Sequence, residues 1–284
     1  TPDARVQAAI DPEGLAAPER WILSRLSSTA AEIGSRLEAF RFDEACRSLY
    51  HFFWGDVCDW YIELCKPALT GEAPRPRVGE VLLTVLDRSF RLLHPIMPHL
   101  TEELWQRLPG HETIHPKSIA LAPYPVAEAG WDAPGMEAGM DALIQVVSRV
   151  RAMRTETGIP PKAKVDLFLD GAAAEFLAGQ APLIAFLARV ENIGTGAAPE
   201  GSRRDVVAGV EIALVVEKQE MSEEERKRLA KELEKLETEI SRSETRLSDE
   251  QFLAKAPPHV VANGRASLAQ MQERRSTLRS TLGL

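Results

Sequence analysis

No stretch of this chain approaches the ~18 consecutive apolar residues that a membrane-spanning helix needs, and Thr1 to Ala9 offer neither a basic start nor an apolar core. The first absence argues against a membrane protein and the second against a secretory signal, so a cytoplasmic location is expected. Cysteine is scarce. Cys46, Cys58 and Cys65 form no Cys-x-x-Cys pair, and an odd number without a secretion signal predicts reduced, mostly buried thiols rather than disulfides or a zinc site. Catalytic spacings are missing too: there is no Gly-x-Gly-x-x-Gly, no Gly-Lys-Ser/Thr phosphate loop and no Gly-x-Ser-x-Gly, so the residues give no sign of an active site, a metal or a cofactor. The histidine pairs His94/His99 and His111/His115 are read as capping or packing residues.

What is present is an ordinary globular composition, 44% hydrophobic and 27% charged over 284 residues, enough for two or three folded units. The chain opens on Thr1 rather than Met, and the expectation is a piece of something longer. Formal net charge is -8, with 34 Lys plus Arg against 42 Asp plus Glu. Such a balance speaks against a nucleic-acid partner, because phosphate contacts dominate those affinities. Where the cations cluster matters more than their total.

Pro18 opens a helical pattern in which Trp21, Ile22, Leu26, Ile33 and Leu37 recur at three- and four-residue steps. After Phe40-Arg41-Phe42, Asp43 is the expected N-cap of a second helix carrying Leu49, Phe52, Phe53, Val57, Trp60, Tyr61 and Leu64, with Pro67 as its end. A Pro- and Gly-rich loop spans Gly71 to Gly79, a third helix runs through Val81, Val85 and Leu93, and a fourth covers Leu100 to Leu108. Ile114 to Asp132 reads as a strap, followed by a helix from Met136 to Arg154. The period then drops to two at Lys164–Leu169 and Val210–Val216, with one helical stretch between them, which predicts a small mixed α/β unit. Finally Leu229, Leu233, Leu236, Ile240, Ser243 and Leu247 are spaced 4, 3, 4, 3, 4, and after Ala256-Pro257-Pro258 the run from Val261 to Leu282 repeats that alternation. Two such helices can fold back on each other as an arm ~35 to 40 Å long.

Within this framework the aromatics from Phe40 to Tyr61 allow two readings, base-stacking platform or core. Helical spacing favours core for Phe52, Phe53, Trp60 and Tyr61, whereas for Phe40 and Phe42, beside Arg41, both stand. Arg25 and Lys66 sit on polar faces of the bundle, and Arg75 with Arg77 in the loop are phosphate candidates. Between Arg226 and Leu284 there are 12 Lys plus Arg against 8 Asp plus Glu. Arg226, Lys231, Lys235, Arg242, Arg246 and Lys255 are therefore candidate RNA contacts, although the same charges could simply solvate a coiled coil.

Several phrases resemble valyl-tRNA synthetases. They are Glu19-Arg20-Trp21-Ile22-Leu23-Ser24-Arg25-Leu26, Phe42-Asp43-Glu44-Ala45, Cys58-Asp59-Trp60-Tyr61-Ile62-Glu63, Leu93-His94-Pro95-Ile96-Met97-Pro98, and in the tail Leu247-Ser248-Asp249-Glu250-Gln251-Phe252-Leu253-Ala254-Lys255-Ala256-Pro257. The earlier phrases resemble the anticodon-binding bundle shared by the valine, isoleucine and leucine enzymes, and the tail resembles the terminal hairpin of the valine enzymes. The resemblance implies a mainly α fold: lead segment 1–17, a four- or five-helix anticodon-binding bundle with its strap over 18–132, a small α/β connector over 133–218 and an antiparallel coiled-coil arm over 219–284. It also implies binding of the anticodon stem-loop of tRNA(Val) by the bundle, with Arg25, Phe42 and Lys66 foremost, and of the tRNA outer corner by the arm. ATP, magnesium, and the catalytic and editing domains would belong to a monomeric parent, since His-x-Gly-His and Lys-Met-Ser-Lys-Ser occur nowhere here. The alternatives are a stand-alone, non-catalytic RNA-binding protein and a coiled-coil interaction protein.

Overall fold

The computed structural model describes residues 4–110, 117–160, 163, 165–216, 223–248, 263–264, 267–272, 274–276 and 279. The chain divides into two compact units, 1–217 and 218–284. Helix α1 (Ala17–Glu38) starts with Pro18 in its first turn, where a missing N–H costs nothing, and buries Trp21, Ile22, Leu26 and Ile33 along one face. Each such side chain contributes about 1.5–3 kcal/mol by leaving water. The helix ends in a Schellman-type cap: the Arg41 N–H donates to the Arg36 carbonyl (2.8 Å) and the Phe40 N–H to that of Leu37 (3.0 Å). Phe40, just past the cap residue Ala39, holds φ at +58°.

Helix α2 (Phe42–Tyr50) runs straight into a π-helical segment (His51–Tyr61) and then α3 (Ile62–Thr70). The widened winding shows in the bond from the Ile62 N–H back five residues to the Val57 carbonyl. Two expectations need correction here. Asp43 is not the N-cap; Arg41 holds that position and Asp43 lies in the first turn. Pro67 does not end the helix either. It is buried inside α3, and termination comes at Gly71, whose left-handed φ of +87° a side chain would resist.

Helices α4 (Val78–Leu93) and α5 (Pro98–Trp105) are tied by a buried polar cluster in which Asp87 pairs with Arg91 (2.7 Å) and accepts from the Trp105 indole N–H (2.7 Å). The following segment, with one 3-10 turn at Ile119–Leu121, returns over the bundle, and its Pro123 carbonyl accepts from Arg91 (2.8 Å). Helix α6 (Pro134–Glu156) packs on α1 and leads to a four-stranded mixed sheet of order β2-β1-β4-β3. Strand β1 (Val165–Gly171) is parallel to β2 (Ile193–Thr195) across two short helices, α7 (Ala174–Gly179) and α8 (Ala181–Ala188), and antiparallel to β4 (Val210–Val216). Strand β3 (Arg203–Val207) forms a hairpin with β4 through Ala208 and Gly209, both at positive φ as a two-residue hairpin turn requires. The sequence predicts two strands and one helical stretch here; the described residues form four and two. One apolar cluster runs from Trp21 and Tyr61 through Leu143 and Val147 to Leu167 and Ile212, so bundle and sheet share a continuous core.

In the second unit, α9 (Glu223–Ser248) buries Leu233, Leu236 and Ile240, and leaves Lys231, Lys235, Arg242 and Arg246 exposed. Residues 263–264, 267–272, 274–276 and 279 are also helical. Gln272 donates to Glu244 (2.9 Å), and Arg274 and Arg279 pair with Glu232 and Glu237 at 2.6 and 3.0 Å. No helix among the described residues is long and apolar enough to cross a membrane.

Candidate nucleic-acid interface

The positions that pattern alone could not place are those around the α1–α2 junction. Phe40 is 79% exposed and Phe42 56%, with their rings edge-on at 6.0 Å. A bulky residue in the left-handed region is uncommon and costs about 1 kcal/mol or more. Here the cost yields no burial, because the ring that the turn presents lies in solvent. Arg36 fixes the junction from below by pairing with Glu32 and donating to the Glu44 carbonyl (2.9 Å). Arg41 pairs with Glu44 at the surface.

From Phe42 the exposed surface continues along the helix at four-residue steps through Cys46, Tyr50 and Trp54. Tyr50 and Trp54 stack at 5.1 Å and 15°, with His51 edge-on to Tyr50 at 5.9 Å. Exposed Arg47 lies one position off this ridge and faces no carboxylate among the described residues. The sequence reading missed Tyr50, His51 and Trp54. The available signal was the complement of the core spacing: Phe52, Val57 and Tyr61 are fully buried and Phe53 and Trp60 partly so, which leaves the 42-46-50-54 row outside. Cysteine usage is corrected as well, since Cys46 is exposed, Cys58 intermediate and only Cys65 buried, where burial pushes its thiol up to about 12.

Other predicted contacts fall elsewhere. Arg75 is not a loop cation: its guanidinium reaches the fully buried Glu19 at 2.8 Å and the Leu64 carbonyl at 2.9 Å, because a carboxylate withdrawn from water needs a counterion. Burial nonetheless holds the Glu19 carboxyl above its ordinary value, with Arg75 opposing. Arg25 is a half-buried strut between α1, the π segment and α6, 2.9 Å from Asp56 and 3.8 Å from Glu137. Burial lifts Asp56 above the usual carboxylate range, with Arg25 pulling the other way. Arg77 caps α4 in a left-handed conformation, bonding Glu80 (3.0 Å) and the Asp11 carbonyl (3.1 Å). Lys66 forms a surface pair with Glu63, worth little and easily exchanged.

In the arm, the side chains of Arg226 and Lys255 lie outside the described residues, while Lys231, Lys235, Arg242 and Arg246 are exposed on α9. Counted over the whole second unit, Lys plus Arg number 13 against 12 Asp plus Glu, so the basic excess belongs to the region beyond Glu225. The expectation that no His-Glu-x-x-His is present needs correction: His111-Glu112-Thr113-Ile114-His115 has that spacing, which binds zinc when a helix carries it; the stretch is bracketed by Gly110 and Pro116 and lies outside the described residues. Among the described residues no cluster of His, Cys, Asp and Glu could hold a metal.

A family model described as the anticodon-binding domain of tRNA ligase matches residues 19–169, and one described as the valyl tRNA synthetase tRNA binding arm matches residues 222–283. The valine–tRNA ligase of Syntrophotalea carbinolica is 41% identical over 273 residues, covering 93% of this chain and 30% of the relative. Those of Carboxydothermus hydrogenoformans and Geobacillus kaustophilus are each 38% identical, over 97% and 93% of the chain and 32% and 30% of the relatives. The chain thus spans about 30% of the length of the curated relatives it matches.

Proposed function

The chain belongs to the valyl-tRNA synthetases, carrying their anticodon-binding domain and tRNA-binding arm, and on that premise we propose that it is the tRNA-recognising part of a valine–tRNA ligase. The parent would attach valine to tRNA(Val) in the cytoplasm as a monomer, using ATP and magnesium in catalytic and editing domains whose signature motifs this chain does not contain. The bundle and strap (18–132), the connector (133–218) and the arm (219–284) are the working parts.

The observation that carries the reading is the exposed aromatic ridge with Phe40 at its end. Unpaired bases stack on aromatic faces for ~1–3 kcal/mol each; stacking itself is sequence-tolerant, and it holds the bases in place for the hydrogen bonds that discriminate between them. Phe40 and Phe42 offer the faces, Tyr50 and Trp54 extend them, and Arg41 and Arg47 stand beside them for backbone phosphates or base edges. Lys66 and Arg77 are secondary, as surface pairs that a phosphate can displace.

In the arm, the partners Gly264/Leu247, Gln272/Glu244 and Arg274/Glu232 run in opposite directions along the chain, and Arg279 reaches Glu237 in the same lower part of the helix. That pattern, with the heptad burial on α9, supports an antiparallel coiled-coil hairpin. Its exposed Lys231, Lys235, Arg242 and Arg246, with Arg226 and Lys255, form the surface assigned to the tRNA outer corner.

The test compares affinity for valine tRNA and an anticodon-substituted form, for the full chain and for one lacking 219–284. The reading expects arm deletion to weaken both RNAs alike, and Phe40→Ala with Phe42→Ala to erase most of the preference between them. Equal affinity for both RNAs in the unmodified chain would sink the anticodon part.

A further inference from the structure

Most arginines of the first unit face a carboxylate, and of those that do not among the described residues, three lie together. Arg151 and Arg154, near the end of α6, and Arg189, immediately after α8, line a cleft of about 340 Å³ together with Thr155, Ile159, Leu187 and Ala188. No acidic side chain pairs with any of the three among the described residues. Arg154 is only 6% exposed, and its donors are spent on carbonyls: Arg189 at 3.0 Å, Pro160 at 3.1 Å and Ala163 at 3.3 Å. Arg151 gives its Nε–H to the Leu187 carbonyl (2.9 Å) and lies over the Trp60 ring at 5.8 Å.

Capping the end of α8 accounts for Arg154 and for one donor of Arg151. It does not account for the two terminal amino groups of Arg151 or for the whole guanidinium of Arg189, which have no partner among the described residues. Arg189 is moreover held at a φ of +55°, a conformation in which Asn or Gly serves better. Burial, and then the neighbouring Arg189, push the Arg154 guanidinium below its ordinary value. Concentrated positive charge in a chain of net charge -8, with surplus planar donors around a preformed concavity, is the arrangement that takes a bidentate oxyanion.

We propose that the Arg151–Arg154–Arg189 cleft is a phosphate-binding site, filled by a backbone phosphate of bound RNA. The choice of RNA as the source rests on the tRNA-recognition reading above; the oxyanion chemistry stands without it. The bound phosphate would accept from Arg151 and Arg189 at the mouth, while buried Arg154 adds charge from beneath.

The test uses the full chain carrying Arg151→Gln with Arg189→Asn, the latter a residue that tolerates the left-handed position, and Arg189→Lys as a charge-retaining control. Thermal melts verify folding. Affinity for valine tRNA is expected to fall about tenfold, equally for the anticodon-substituted form, with a salt dependence shallower by about one unit of log–log slope, whereas Arg189→Lys loses less than about twofold. Inorganic phosphate, followed through the arginine Nε–H resonances, is the second arm. Phosphate shifts that vanish in the double variant while RNA affinity stays unchanged overturn RNA as the occupant and leave the cleft a site for free phosphate. Folded variants that alter neither RNA nor phosphate binding overturn it. Should the unmodified chain bind no tRNA, the recognition reading fails and the phosphate arm alone decides the cleft.

Discussion

Arg75→Met separates a structural cation from an RNA contact. Glu19 is fully buried, and Arg75 reaches it from a loop 56 residues further along the chain. Removing the guanidinium leaves a carboxylate in the interior without its counterion, a change that costs about 3–5 kcal/mol. At roughly 2–4 °C per kcal/mol for a unit of this size, the melting temperature of the first unit should drop by roughly 6–20 °C near neutral pH. The pH dependence has a definite sign. Burial already holds the Glu19 carboxyl above 4.5, against the pull of Arg75, and without Arg75 it rises further. A carboxyl whose folded pKa exceeds its unfolded one contributes most to stability below the unfolded value, and that contribution is lost as pH rises through the folded value. The deficit of Arg75→Met is therefore largest on the alkaline side of neutrality and shrinks on acidification, and adding Glu19→Gln recovers most of it at neutral pH. Scanning calorimetry across a pH series measures all three. A loss below about 2 °C, or one that ignores pH, refutes the buried-pair account; weaker tRNA binding by the folded variant would return Arg75 to the interface.

Three further outcomes follow from the same geometry. Phe40→Gly should stabilise the chain by ~0.5–1 kcal/mol, since it relieves a left-handed aromatic that buries little, while valine-tRNA affinity falls by ~1–3 kcal/mol; a loss of thermal stability would mean the ring packs rather than recognises. Alkylation followed by mass spectrometry should modify Cys46 first and Cys58 more slowly, and reach Cys65 only on unfolding, because that buried thiol titrates at about 12. Gly171 sits at φ +124° with a would-be Cβ 2.7 Å from the Gly209 carbonyl oxygen, so Gly171→Ala should cost about 2–3 kcal/mol in chemical denaturation by straining the β1–β4 register.

Periodicity carried far where burial is one-sided and long. The helices anchored by Trp21 and Ile33, by Val81 and Val85, and by Leu143 and Val147, and the strands at 165–171 and 210–216, are legible because each presents a repeating apolar face to one core. Strands β2 and β3 are not, since Ile193-Gly194-Thr195 is too short to alternate and Arg203-Arg204-Asp205 lies at an edge where both faces tolerate charge. The π segment was hidden for a different reason: its exposed Trp54 continues the row of α2, its buried Phe52, Val57 and Tyr61 fit a helix, and the bond from Ile62 to Val57 is what reveals the wider turn. Pairing of charges was the least legible layer. Arg25 and Arg75 are indistinguishable in sequence from free surface cations, and what commits them is the distant burial of Asp56 and Glu19.

That last point bears on how an acidic chain can recognise RNA. A net charge of -8 measures the sum of all cations, yet Arg25, Arg36, Arg75, Arg88, Arg91 and Arg149 already face carboxylates of this chain. Displacing Arg75 or Arg91 would strand the buried Glu19 or Asp87, and the others must first give up a carboxylate, so they contribute less to phosphate binding. The cations that can release counterions are those the fold leaves uncompensated, among them Arg47 beside the aromatic ridge, Arg151 with Arg189 at the cleft, and Lys231, Lys235 and Arg242 on the arm. Because an affinity's salt dependence counts phosphates neutralised rather than total charge, a few such residues suffice provided each is preplaced. The left-handed backbone at Phe40 and at Arg189 is preplacement of this kind, with conformational strain held in the free chain at two positions whose side chains stay exposed.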